Sequence, residues 1–398
     1  MIDLALALFA GIFAGVITGL LPGIHNNLVS TLLISLSPTF TFLSPFAVAL
    51  FIVTLAMTHI VVEFIPSIFL NIPEEDSFLA LLPSQQLLSE GKGYEALVLL
   101  VLGFLLGLFL VILIAPLYLV FLPSLYPLLA TTIPYFLIAL SIYIICREQR
   151  PHLAAFVFLL SALLGLLAFH LPIREPLLPL LTGLFGISSM LTAQKTLVPK
   201  QIAPQKIRTL LPQKREFAQA LAASLLAAPL CSSLPGIGSG HAATLGSEII
   251  PQNNRSFLLL VGSLSATVML LSFVVVFTIA RARSGAAAAI QEVLTPFTHQ
   301  QLATLLLAAS LAAFLAAFIT LMLGKRAAKI LNMVNYRALS MGVIVFVALL
   351  TLLLSSWLGL LVLIAGISIG IVCIKTGVRR INLMASLIVP AILFYLMR

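Results

Sequence analysis

Apolar runs of bilayer length recur from one end of this chain to the other, and no other feature constrains its fold as strongly. They fall at about 4–21, 28–37, 45–71, 96–122, 128–146, 153–170, 176–193, 217–234, 257–280, 301–323, 339–356, 358–374 and 381–397, with no polar domain between them. A helix crosses the hydrocarbon with about 20 apolar residues, because each backbone N–H and C=O must find its partner inside the segment. Some runs are full spans and others half-length, which leaves room for about ten spans. Hydrophobic residues make up 61% of the chain and charged residues 8%, far below the roughly 25% charged residues of soluble domains. The expected fold is therefore all-α: a polytopic integral membrane protein of about ten helices plus half-helices, multi-pass in the cytoplasmic membrane. The first run starts at Ile2 with no basic stretch before it and no small-residue cleavage site after it, so it reads as a retained helix.

The net charge of +9 sits in short clusters between the apolar runs, as in positive-inside cytoplasmic loops, and nucleic acid is excluded as a partner. Arg147 with Arg150, Lys325 with Arg326 and Lys329, and Lys375 with Arg379 and Arg380 form three such clusters. The longest polar stretch, 194–216, carries four lysines and two arginines with one glutamate. It divides the chain into a first transmembrane half at 1–193, a basic cytoplasmic linker at 194–216 and a second half at 217–398. Cys146, Cys231 and Cys373 are far apart, odd in number and within or beside apolar runs, so neither a disulfide framework nor a zinc site is expected.

The two halves align at an offset of 213 residues, the distance from Leu21 to Leu234. GIFAGVITGLLPGIHNNLVSTLL at 11–33 then lies over SLLAAPLCSSLPGIGSGHAATLG at 224–246, with LPGI on LPGI and Thr31 on Thr244. Gly11 and Gly15 fall over Ser224 and Ala228, small residues of the kind that let membrane helices approach closely. Counting spans from the basic loops places the N-terminus outside and the start of the second half inside. The duplicated halves are thus expected to be inverted.

Each half holds an apolar helix broken by Pro-Gly and followed by small polar residues: LPGIHNNLVST at 21–31 and LPGIGSGHAAT at 234–244. Non-helical backbone at membrane depth survives only where protein or a wet cavity satisfies it, so a paired break implies a cavity. The half-helix after each break offers free N–H groups and a partial positive charge to an anion. The candidate binding residues are Pro22, Gly23, His25, Asn26, Asn27 and Thr31 in the first motif. Pro235, Gly236, Gly238, Ser239, Gly240 and Thr244 are their counterparts in the second. Glycines let backbone approach a ligand, and the asparagines, Ser239 and Thr244 supply donors and acceptors.

A second irregular stretch follows each break, NIPEEDS at 71–77 and RARSG at 281–285. Glu74, Glu75 and Asp76 read as a solvated acidic turn. Arg281 and Arg283, with Ser284, fall on the outer side against the positive-inside bias, just before SGAAAAI; arginine beside such a helix start suits a carboxylate. Glu63, inside an apolar run, and Glu248, after the second break, are read as intramembrane carboxylates and ion-coupling candidates, since such groups are costly at membrane depth. His25 and His241 do not align, which points to hydrogen bonding and not to a metal site. The moderately polar 77–95 stretch reads as a structural surface or re-entrant hairpin.

At these residues the sequence resembles the TctA-type large membrane subunit of tripartite tricarboxylate transporters, and more closely its compact archaeal relatives. GLLPGI at 19–24, SIFLNIP at 67–73, EGKGYEAL at 90–97, PGIGSG at 235–240 and ARSGAA at 282–287 carry the resemblance. It implies a permease for small di- or tricarboxylates whose two Pro-Gly motifs line the substrate site, with cation-coupled alternating access. Na+ or H+ is the coupling ion this implies, with no other cofactor. Bacterial members work with a small membrane subunit and an extracytoplasmic binding protein, and a homodimer is a further assembly to test. The chain departs from the family pattern in IHNN at 24–27 and EED at 74–76, which leaves the substrate open.

An intramembrane enzyme built on His25, His241, Glu63 or Glu248 is disfavoured, because no HExxH, GxSxG or paired-carboxylate motif is present. A scaffold would not need aligned helix breaks, and a channel would more naturally show a symmetric pore helix. No GxxxxGK[ST] motif supplies ATP hydrolysis, so the energy source is an ion gradient or a separate subunit.

Overall fold

The computed structural model of this chain describes residues 2–21, 44–69, 81–173, 175–193, 211–233, 239–282, 284–294, 296–330 and 336–397. Every regular element among them is helical. The first half contains α1 (Ile2–Leu20), α2 (Pro45–Val62), α3 (Phe64–Phe69), α4 (Leu81–Ser89), α5 (Gly93–Cys146) and α6 (Pro151–His170). It closes with α7 (Leu177–Leu181), which passes through a π-turn at Thr182–Ile187 into α8 (Ser188–Ala193). The second half contains α9 (Lys214–Ser233), α10 (Ser239–Ile249), α11 (Asn254–Ile279), α12 (Gly285–Leu294), α13 (His299–Ile330), α14 (Tyr336–Thr376) and α15 (Ala385–Leu396). Seven helices among the described residues are long and apolar enough to cross a membrane, with four shorter apolar helices beside them. The protein is polytopic.

Local chemistry sets the helix starts. Ser44 caps α2, its hydroxyl accepting from Ala47 N, with Pro45 in the first turn. Asn253 and Ser256 close a reciprocal capping box on α11, which satisfies donors that a membrane helix end leaves open.

The basic loops meet on one face. Glu148 accepts from Arg379 Nε at 2.8 Å, Arg147 pairs with Glu248 at 2.5 Å, and Arg255 pairs with Glu95 and Glu216. Lys325 stands over the Tyr94 ring. These contacts give the direction of each helix. Gly93 lies against Phe69, so α2 and α3 run toward the basic face, and α1 runs parallel to them, with Gly11 against Thr54, Gly15 against Thr58 and Gly19 against Val62. In the second half α9 and α11 both start at the basic face, where Glu216 meets Arg255, and run away from it.

Two helices depart from simple rods. Straight, the 54 residues of α5 would span about 80 Å at 1.5 Å per residue. Yet Glu95 near its start pairs with Arg255 and Arg147 just past its end pairs with Glu248, and those partners are close in the chain. The segment therefore crosses the protein and returns, as the separate apolar runs at 96–122 and 128–146 predict. Pro116, Pro123, Pro127 and Pro134 lie inside it, each removing a helix hydrogen bond. α14 is divided at Ser356 (φ 61, ψ −172), between the runs expected at 339–356 and 358–374. Beside this left-handed residue, Ser355 Oγ donates to Glu175 O at 2.9 Å.

The core is built on α2 and α11, which are buried almost throughout and correspond at the 213-residue offset. Outer helices turn apolar side chains outward: Phe9 and Phe13 on α1, and Leu307, Phe314 and Phe318 on α13 are exposed, as expected of a lipid-facing surface.

Candidate functional site

α9 and α10 form a helical hairpin whose connection, 234–238, carries the second Pro-Gly motif. Gly246 on α10 lies against Ala223 and Ala227 on α9, and Gln219 Nε2 donates to Pro251 O at 3.1 Å while Gln252 Nε2 donates to Gln219 O at 3.2 Å. α10 thus returns to the basic face where α9 began. Its 11 residues rise about 16 Å, half the roughly 30 Å hydrocarbon. Ala220, Ala223, Ala227 and Ala228 are fully buried, and such small residues let the hairpin sit against its neighbours. Tyr118 of the first half holds the end of α9: its hydroxyl donates to Pro229 O at 2.7 Å and stands 2.6 Å from Ser232 Oγ.

Among the predicted site residues, Ser239 opens α10 and is buried, Gly240 follows it into the helix, and Thr244 lies one turn further on. Arg281 is half-buried at the end of α11 away from the basic face, just after the left-handed Ala280. Phe277 packs on Phe297 and His299 at that end. Ser284 starts α12: its hydroxyl accepts from Ala287 N at 3.2 Å and stands 3.2 Å from Ser272 Oγ. Pro22, Gly23, His25, Asn26, Asn27, Thr31, Pro235, Gly236, Gly238 and Arg283 lie outside the described residues, as do Glu74, Glu75, Asp76 and the side chains of His241 and Thr244.

Glu63 is 5% exposed at the junction of α2 and α3. His59 Nε2 stands 3.4 Å from its Oε2, and His59 Nδ1 is 2.9 Å from Thr18 Oγ1 on α1. Glu248 is placed differently from its sequence reading. It lies at the exposed end of α10 and pairs with Arg147, because α10 is a half-helix that has already returned to the basic face by that point.

The sequence reading did not single out His59, Tyr118, Arg255 or Glu175. For His59 a signal was available: it stands four residues before Glu63 in an apolar run, on the same helix face. Tyr118 and Arg255 act through partners more than a hundred residues away or on other helices, and no spacing announces them. Glu175, in the loop between α6 and α7, has its carboxyl pushed above the usual 4.5 by burial and then by the charge of Glu292. The folded chain therefore binds this proton more tightly than the unfolded one, and stability falls as pH rises from 4.5 through the raised value. Glu175→Gln is expected to flatten that decline in thermal melting followed from about pH 4 to about pH 8.

Residues 5–385 match the tripartite tricarboxylate transporter TctA family. The chain belongs to this family. An uncharacterized protein of Methanocaldococcus jannaschii is a relative, 29% identical over 365 residues that cover 87% of this chain and 88% of the other. No solved structure matches. TctA is a transporter family and not an enzyme family, and membership agrees with the seven apolar spans in making this a multi-pass membrane transport protein.

Proposed function

We propose that this chain is a secondary permease for small organic anions of the di- and tricarboxylate class, driven by a cation gradient and working by alternating access between two inverted halves. The observation that carries the reading is the close packing of α9 against α10, the two helices that flank the second Pro-Gly motif in the chain. The N-terminal end of a helix such as α10 carries a partial positive charge that favours an anion. The opposite directions of α1 and α2 against α9 and α11, which correspond at the 213-residue offset, support the inverted pair. Ser239 and Gly240 at the start of α10, and Arg281 with Ser284 beside α12, are the described residues assigned to the anion, and Thr244 is assigned with them from its place in the sequence motif. Pro22, Gly23, His25, Asn26, Asn27, Thr31, Pro235, Gly236, Gly238 and Arg283 complete the set.

A small membrane subunit and an extracytoplasmic binding protein are the partners that a tripartite family implies, and they would deliver substrate to the face opposite the basic loops. Reconstitution in liposomes tests the reading. Labelled citrate and succinate are expected to accumulate under an imposed sodium or proton gradient in the wild type and not in Gly23→Leu or Gly236→Leu. Carboxylate uptake unaffected by both substitutions would remove the Pro-Gly motifs from the site.

A further inference from the structure

We propose that the cavity between the α5–α6 loop and the end of α14 is a headgroup site for an anionic phospholipid. The cavity, about 270 Å³, lies on the basic face, with Glu148, Gln149 and Arg150 on one wall and residues 374–378 on the other. One wall belongs to the first half of the chain and the other to the second, so an occupant bridges the halves. The inference does not depend on which anion the permease carries.

The charges around the cavity favour an anion. Glu148 is the carboxylate among the lining residues, and its charge is already compensated. Its Oε1 accepts from Arg379 Nε at 2.8 Å, from Arg379 N at 3.3 Å and from Asn382 Nδ2 at 2.9 Å. Arg147, next to it in the chain, is taken up by Glu248. Arg150 and Lys375 are exposed cations, one on each wall, and among the described residues no carboxylate pairs with either. Arg150 also stands at the start of α6, where no side chain caps the helix, so the partial positive charge of that end adds to the two cations. Lys375, in the last turn of α14, offsets the opposite partial charge there. A guanidinium and an ammonium on facing walls suit a phosphate, which the first grips bidentately and the second as a point charge. Gly377, at φ 71, turns the chain at the end of α14, and nothing lies within 4 Å of where a Cβ would stand, so this wall is open.

Placement favours a lipid over a soluble anion. α5 ends at Cys146, α6 starts at Pro151 and α14 ends at Thr376. The cavity thus sits where three apolar helices leave the hydrocarbon, at headgroup depth. Ile142 on α5, and Phe156 and Leu159 on α6, are exposed within about two turns of it, and acyl chains can lie along them. Pockets that enclose a whole drug-sized ligand run from roughly 300 to 1,000 Å³; this smaller one suits a headgroup whose chains stay outside. Basic pockets between membrane helices commonly hold such headgroups.

The test uses the full chain in detergent, with short-chain phosphatidylglycerol, phosphatidylcholine of the same chain length, inorganic phosphate and citrate as separate probes. Phosphatidylglycerol is expected to raise the melting temperature and to stay bound in native mass spectra; phosphatidylcholine is expected to do neither. Arg150→Gln with Lys375→Gln should weaken phosphatidylglycerol binding about 25-fold, at roughly fivefold for each basic group beside an anionic headgroup. Both side chains are exposed, so this variant is expected to fold. Gln149→Glu, which removes no cation but sets a second carboxylate on the wall, should weaken binding as well. Lys214→Gln with Arg326→Gln, which takes the same charge from elsewhere on the basic face, should leave it unchanged. Equal weakening in the two double variants, or none in either, would reduce the effect to general surface charge and overturn the site. Stabilisation by phosphate or citrate that matches phosphatidylglycerol, and is lost in Arg150→Gln with Lys375→Gln, would overturn the lipid as its occupant.

Discussion

Gly262→Leu is expected to abolish the accumulation of folded protein. Gly262 on α11 faces Leu100 O and Phe104 N on α5, and Gly103 on α5 faces Leu259 O in return. At both positions an added Cβ would overlap backbone, which cannot swing aside as a side chain can. Overpacking a core typically costs about 1–3 kcal/mol even where side chains can shift, and a leucine here must force the two helices apart along their length. Membrane helices associate through close packing, since lipid tails are as apolar as the side chains they would replace. The seam joins the first half to the second, so its loss separates them. Fluorescence-detected size exclusion and thermal melting in detergent would read the effect against Gly342→Leu, where an added Cβ meets nothing within 4 Å. Equal yields and melting temperatures for the two variants would refute the argument.

Arg255→Ala is expected to loosen the hairpin and destabilise the chain by about 1–3 kcal/mol, less than the loss of a partner from a fully buried ion pair, because the guanidinium is 25% exposed. Arg255 joins three elements: it pairs with Glu95 of α5, with Glu216 of α9 at 3.2 Å, and it donates to Leu211 O at 3.2 Å. The side chains of Glu95 and Glu216 are only 9% and 5% exposed, so without the guanidinium two carboxylates lose their cation in a half-dry setting. Asn253 Nδ2 and Gln213 N still donate to Glu216, which tempers the loss there. Neutralising Glu95 as well, in Arg255→Ala with Glu95→Gln, should recover part of the stability. Cys231, 1% exposed in the hairpin, gives a local readout once Cys146 and Cys373 are replaced. Its maleimide labelling should be slow in the wild-type background and fast in Arg255→Ala; labelling at equal rates would show that the cluster does not hold the hairpin.

Glu63 and Glu248 show what hydropathy alone does not resolve. Both are carboxylates beside apolar stretches, and a hydropathy argument treats them alike. They differ because Glu63 sits at the buried junction of α2 and α3, whereas Glu248 lies at the exposed end of the short α10, paired with Arg147. Depth in the membrane depends on where a helix reverses, and a Pro-Gly pair tells that the backbone breaks without telling which way it leaves. The doubled-back α5 is the opposite case: two apolar runs with prolines between them were enough to predict two crossings.

By itself the sequence determined that the chain is a helical membrane protein, where most of its helices lie, and that its basic loops share a face. Those features follow from bilayer length, from the cost of unpaired backbone in hydrocarbon and from charge asymmetry, all of which act locally along a chain. Only the tertiary structure decided which helices run parallel, that Gly262 must lie against Leu100, that Arg255 gathers carboxylates from two other helices, and that His59 stands between Thr18 and Glu63. Those contacts join residues far apart in sequence, and their energies come from burial and mutual distance, which no spacing along one chain can fix.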